Sequence, residues 1–210
     1  MNIRAGAAIS LSVSALWLAG CDNNTPQTPG TNSESNPADQ FLKNIAAHCG
    51  QAFAGDITAN EPPSDKPDAF DGKELVMHVR GCDNPAEEIR IPFHVGEDRS
   101  RTWILTRTAD GLRLKHDHRH KDGSEDAVTM YGGDTASAGT ENRQEFPVDE
   151  ASITTFNREG LGASVNNTWA MEIHPQRYFV YELTRPNGRV FRVQFDLSNP
   201  VPAPPAPWGN

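Results

Sequence analysis

Between Leu112 and His120 the chain reads Leu-Arg-Leu-Lys-His-Asp-His-Arg-His, an unbroken two-residue alternation that holds three of the seven histidines. Side chains of a strand point alternately to opposite faces. Leu112, Leu114, His116, His118 and His120 therefore share one face, and Arg113, Lys115, Asp117 and Arg119 the other. The imidazoles continue the apolar face, so the strand enters a core on leucines and leaves it on histidines. A polar pocket, a metal site and the wet rim of a sheet all fit that ending.

The same period recurs along most of the chain. Leu75, Met77 and Val79 alternate with Val76, His78 and Arg80, and Ile89, Ile91, Phe93 and Val95 alternate with Arg90, Pro92 and His94. Asp83-Asn84-Pro85 between them is turn chemistry, which predicts a hairpin whose second strand, carrying Pro92, lies at an edge or a bulge. His78 and His94 fall opposite the larger apolar set and are expected in solvent. Residues 102–108 form the next strand, with Trp103 and Leu105 inward, and Ala109-Asp110-Gly111 turns it into the histidine strand. Residues 128–131 are placed to pair back, and 132–142, rich in glycine, serine and threonine, read as a loop. A short helix is expected over 149–158, capped by Asp149 and burying Ile153 and Phe156. Trp169, Met171 and Ile173, then Phe179, Tyr181 and Leu183, then Phe191, Val193, Phe195 and Leu197 complete a meander, its last turn carrying Asn187-Gly188.

One helix precedes these strands. Asn36 and Pro37 read as an N-cap and a first-turn proline, with Asp39 near a capping box. Phe41, Leu42, Ile45, Ala46, Cys49 and Phe53 follow at helical spacing, and Gly55 marks the expected end. Residues 60–71, with three prolines, read as a loop. The fold class is thus mainly β: an antiparallel barrel or sandwich of about seven or eight strands with one N-terminal α-helix. A closed or nearly closed barrel, plugged or flanked by the helix, is the favoured form.

The start of the chain has a different character. Arg4 supplies a positive charge, residues 5–18 are apolar or small, and Leu18-Ala19-Gly20-Cys21 follows. This resembles the lipobox leader of bacterial lipoproteins. The resemblance covers the leader alone, and implies cleavage before Cys21 and acylation, palmitate included, of that cysteine. The apolar run is shorter than the roughly 20 residues a bilayer-spanning helix needs, whereas several acyl chains give lasting attachment. The implied location is the cell envelope, anchored to the inner or outer membrane and facing the periplasm. Asp22 resembles the inner-membrane retention signal of enteric lipoproteins, a code that other bacteria do not share.

The expected organisation is a leader over 1–20, a lipidated cysteine and spacer over 21–35, a β-rich domain over 36–199 and a proline-rich exposed tail over 200–210. The spacer from Asp22 to Ser35 holds no aliphatic or aromatic residue and has nothing to bury.

With Cys21 assigned to lipid, Cys49 and Cys82 remain. An oxidising compartment argues for a disulfide between them rather than a thiol catalyst. The net charge is −9, and −10 once Arg4 leaves with the leader. An acidic surface repels phosphate backbones, so nucleic acid is not an expected partner.

Candidate chemistry centres on the histidine strand. Alternate residues on a straight strand lie ~6.6 Å apart. His116 and His120, ~13 Å apart, therefore cannot share an ion through bonds of ~2.1 Å, but His116 with His118, or His118 with His120, can. His116, His118 and His120 are the candidate zinc or copper ligands, with a third group required from His78, His94, His174, Asp122, Glu125 or Asp126. The acidic tip from Asp122 to Asp126 is a weaker candidate for calcium, lacking the closing glutamate of an EF-hand loop. The chain carries no Gly-x-Ser-x-Gly, His-Glu-x-x-His, phosphate-loop or dinucleotide motif. Ser164 lacks the strand-turn-helix setting of a nucleophile.

These observations favour a non-enzymatic module without cofactor, engaging a small ligand or an envelope protein. A metal-binding protein or metal-dependent hydrolase on the histidine strand is the first alternative, and an inhibitor or immunity-type partner of a cell-wall enzyme the second.

Overall fold

Asn36 caps the first helix, its side-chain oxygen accepting from the Ala38 N–H at 2.9 Å. Helix α1 (Pro37–Ala46) buries Ala38, Phe41, Leu42 and Ile45. The computed structural model describes residues 36–63 and 69–209. The expected leader, the lipid site at Cys21 and the spacer lie outside the described residues.

Ten strands follow: β1 (Ala52–Glu61), β2 (Leu75–His78), β3 (Glu88–Val95), β4 (Asp98–Arg107), β5 (Leu112–His118), β6 (Tyr131–Asp134), β7 (Arg143–Pro147), β8 (Thr168–His174), β9 (Tyr178–Thr184) and β10 (Val190–Val201). Helix α2 (Glu150–Arg158) and a short 3-10 turn (Gly162–Asn166) separate β7 from β8. All pairings are antiparallel, in the order β6-β5-β4-β3-β2-β1-β10-β9-β8-β7. The result is the expected mainly antiparallel β class, in the form of a nearly closed barrel with two helices. Strands β1 and β7 have no counterpart among those expected, and the strand expected over 128–131 to pair back on the histidine strand lies instead at Tyr131–Asp134.

The seam between β6 and β7 completes the curve. Asp149 N–H donates to the Gly132 carbonyl at 2.9 Å, and Ser152 Oγ bonds both the N–H and the carbonyl of Gly132, at 2.8 and 3.2 Å. A Cβ on Gly133 would sit 1.8 Å from the Pro147 carbonyl oxygen, so only glycine lets the two ends of the sheet approach this closely. The stretch expected as a loop is therefore, at its start, a strand and the closing edge. Asp149 caps α2 as expected, accepting from Ser152 N–H at 2.8 Å. Ser152 and Phe156 are its buried residues, and Ile153 is only partly covered.

Other expectations need correction. Helix α1 ends at Ala46, and Phe53 and Gly55 belong to β1. The i, i+4 spacing of Cys49 and Phe53 is accidental, and Gly55 is required because the Phe195 ring crosses where a Cβ would project, 2.5 Å away. Pro92 lies in β3, which is interior rather than an edge but carries the expected irregularity beside it, a register shift between Phe93 and Val95. Its missing N–H is tolerated because it faces the gap between the last β2–β3 pair, Met77↔Phe93, and the isolated bridge Arg80↔Arg90. The tail is not an exposed extension. Strand β10 continues through Pro200 and Val201 beside Phe53 and Ala52, and Trp208 N–H donates to the Arg99 carbonyl at the start of β4. To reach Arg99 the tail passes outside β1 to β3. The outward side chains Val76, His94, Thr102 and Ile104 are all buried. His94 is thus inside the protein rather than in solvent. Burial lowers its pKa to about 4, helped by repulsion from His78, and also lowers that of His78, which is partly covered.

The two barrel ends differ. At one, α1 lies across the opening: Arg107 pairs with Asp39, Asn44 donates to the Glu141 carbonyl at 3.0 Å, and Gln176 N–H approaches His48 Nε2 at 3.4 Å. The disulfide Cys49–Cys82, with Cα atoms 6.2 Å apart, ties the segment after α1 to the β2–β3 connection. The other end carries the cavity.

Candidate functional site

The parity argument places His116 and His118 correctly. Both point into the barrel: His116 is 3 % exposed beside Trp103 in the register, and His118 lies opposite Arg101. Strand β4 makes the same transition as β5, from Leu105 and Trp103 to the inward Arg101. The same two-residue count reaches Arg101, one residue before the strand expected over 102–108, but does not show that it lies opposite His118.

His116 has both ring nitrogens engaged. Nδ1 lies 3.1 Å from the Tyr131 carbonyl oxygen, which only accepts, so Nδ1 carries the proton. Nε2 is then the acceptor for the Tyr181 hydroxyl at 2.8 Å. The ring stacks on Tyr131 with centroids 4.6 Å apart and leans on Trp169 at 5.0 Å. His118 Nε2 and the Tyr131 hydroxyl are 3.1 Å apart.

Burial decides the charge of all four groups. It lowers His116 to about 3, with further repulsion from His118, and lowers His118 to about 4, with repulsion from Arg101. It raises the phenols of Tyr131 and Tyr181 beyond the ordinary tyrosine range. At neutral pH both imidazoles are neutral and both phenols keep their protons. No member of the cluster titrates near 7, where a general acid or base works best.

His120 is elsewhere. It follows β5, more than half exposed, with Nε2 3.9 Å from Asp126. The acidic tip is occupied with its own turn: Asp122 accepts from Ser124, Asp126 from Val128 N–H, and Glu125 pairs with Arg119. Among the described residues no three His, Cys, Asp or Glu side chains are grouped so as to hold a metal ion.

Above the histidine and tyrosine cluster lies a pocket of about 260 Å³. Its walls are Phe70, Tyr131, Phe156, Trp169, Tyr181 and Phe191, with Leu161 and Leu183 at the rim. A narrower recess of about 70 Å³ continues inward past Arg101, His116 and His118, bounded by Trp103. Rings pack continuously along this wall: Phe70 on Phe191 at 4.8 Å, Phe93 on Trp103 at 4.8 Å, Trp103 on Tyr181 at 4.5 Å. Arg101 lies over Phe70 at 5.6 Å and pairs with Asp98. At the rim Arg185 donates from Nε to Asn167 Oδ1 at 2.6 Å and from Nη2 to Ser164 Oγ at 3.4 Å. Ser164, which lacked a nucleophile's sequence setting, serves as an acceptor for this guanidinium.

A larger concavity, about 530 Å³, lies on the outer surface among Arg80, Asp83, Glu87, Glu88 and Arg90. Its walls are charged, and Arg90 and Glu88 already pair there. Ligand sites are predominantly apolar with a few placed polar groups, and the barrel mouth has that character.

No protein-family model matches the chain, and no curated protein matches it. Among solved structures the chain is similar to a redesigned β-barrel, mFAP1, bound to DFHBI. The two are 12% identical over 76% of this chain and 98% of that one, with a TM-score of 0.29. With a likeness of that size, the site is read from its own residues.

Proposed function

We propose that this protein is a non-enzymatic, lipid-anchored binding module of a bacterial envelope, facing the periplasm and taking a small ligand in the mouth of its barrel. The binding reading is carried by one observation, the aromatic pocket at the end of the barrel that α1 does not cover. Its floor is formed by hydroxyl and imidazole groups already bonded to one another. Such a surface recognises without reacting. The anchor reading rests on Leu18-Ala19-Gly20-Cys21 and suits a disulfide-bonded domain.

The neutral two-ring fluorophore 6-propionyl-2-(dimethylamino)naphthalene tests the pocket. It is expected to bind the full-length protein and to bind several-fold more weakly after Leu161→Asp, a change at the partly exposed rim. Unchanged affinity in that variant would place the probe elsewhere and remove the reading. Mass spectrometry of the N-terminal peptide tests the anchor: an acylated Cys21 terminus is expected, and an intact Met1 in envelope material would end it. The metal alternative retains His116 and His118 and is tested by zinc and copper analysis of the protein beside a His116→Ala, His118→Ala double variant.

A further inference from the structure

Arg185 stands out among the charged groups of the mouth. Arg101, in the inner recess, has a carboxylate within ion-pair distance, that of Asp98. Arg185 has none among the described residues, in a chain where 28 acidic residues outnumber 19 basic ones. Its two hydrogen bonds go to neutral oxygens, on Asn167 and Ser164. Asn167 is 4 % exposed and so holds the guanidinium in a fixed orientation. The side chain lines the apolar pocket together with Arg189, and burial and the charge of Arg189 both act against its cationic form. A partly buried cation facing apolar walls is costly without an anion beside it.

We infer that the pocket takes a small amphipathic carboxylate, its charged head against Arg185 and its flat apolar body between Trp169, Tyr131 and Phe156. This deepens the pocket reading above and rests on it. The carboxylate supplies the missing counter-charge and accepts from the guanidinium N–H groups that Asn167 and Ser164 leave unused. Aromatic walls favour a flat body, and a volume of about 260 Å³ is below that of drug-sized sites, which limits the ligand to one or two rings. The protein's overall negative charge adds a selection. A diffuse polyanion is repelled by the surface, whereas a single carboxylate is drawn to a locally positive mouth.

The test uses an isosteric pair, 2-naphthoate and 2-naphthamide, titrated calorimetrically at pH 7 into the full-length protein and into Arg185→Gln. A charge-assisted contact of this kind gives about a 10- to 100-fold preference for the acid. The preference, read as the ratio of acid to amide affinity within each protein, is expected in the natural protein and lost in Arg185→Gln. Arg185→Lys is expected to keep part of it, and stands in for Arg185→Gln should that variant fail to fold. Equal binding of acid and amide by the natural protein, or a preference that survives Arg185→Gln, overturns the inference and leaves the pocket intact. Binding of neither probe overturns both.

Discussion

The two ends of the barrel are built from the same strands and have opposite chemistry. At the α1 end, Phe41, Leu42 and Ile45 seal the interior with aliphatic and aromatic side chains that are at most 1 % exposed, and a disulfide fastens the seal. At the mouth, the inward positions of β4 and β5 change from Leu105, Trp103, Leu114 and Leu112 to Arg101, His116 and His118, and the cavity opens above them. A strand has no end-to-end preference of its own. The difference arises because α1 supplies apolar surface to one opening, while the other is lined with groups that carry hydrogen bonds. The sealed end thus holds the packed contacts and the other end holds the cavity.

The largest test of this division is Phe41→Ala, which leaves a cavity under α1 and is expected to cost about 3–5 kcal/mol. Denaturant unfolding reads the loss, and probe binding at the mouth is expected to persist under native conditions. An equal loss of binding would mean that the ends are not separable. Reduction of Cys49–Cys82, or the double serine variant, is expected to cost about 4 kcal/mol, from the 33-residue separation it closes. Binding should again be unaffected.

At the mouth, Tyr181→Phe removes the hydroxyl that satisfies His116 Nε2. The stranded acceptor costs about 1–3 kcal/mol. Unlike the two changes above, this one is also expected to alter probe affinity, because Tyr181 lines the pocket. A Phe variant with natural stability would show that water replaces the phenol.

Acid should act on the mouth as well. His116 and His118 titrate near 3 and 4 in the folded protein, against about 6.5 unfolded. Between those values the unfolded chain binds more protons, so stability falls as pH falls. It is level above about pH 6.5 and declines below that by at most about 1.4 kcal/mol per pH unit for each histidine. His94, also near 4 but outside the barrel, adds to the same slope. A His118→Asn variant should flatten the curve, and an unchanged slope would assign the acid sensitivity to His116 and His94.

Much of the fold was written in local pattern. The strands that begin near Leu75, Ile89, Thr102, Leu112, Trp169, Phe179 and Phe191 are visible as two-residue alternation, because each has one face in a core and one outside it. Asn36 and Asp149 announce their helices because a cap is satisfied within three residues. Cys49 and Cys82 pair because few sulfurs are available. The inward direction of His116 and His118 followed from parity alone.

Tertiary structure decided what had no local signature. Strand β1 is rich in alanine and glycine and owes its conformation to β2 and β10 on either side. Strand β6 is two glycines between a tyrosine and an aspartate, selected for how closely Pro147 can approach. The tail packs because its path leads to Arg99, and proline content says nothing of where a chain goes. At the site, alternation put Tyr181 on the apolar face of its strand, as it did the imidazoles, but did not show that the phenols of Tyr181 and Tyr131 would meet them. Nor could it show that Arg185 would meet Asn167 and no carboxylate. Alternation reports only which way a side chain faces, whereas the partner it meets depends on strand order and register, which are fixed when distant segments pack together.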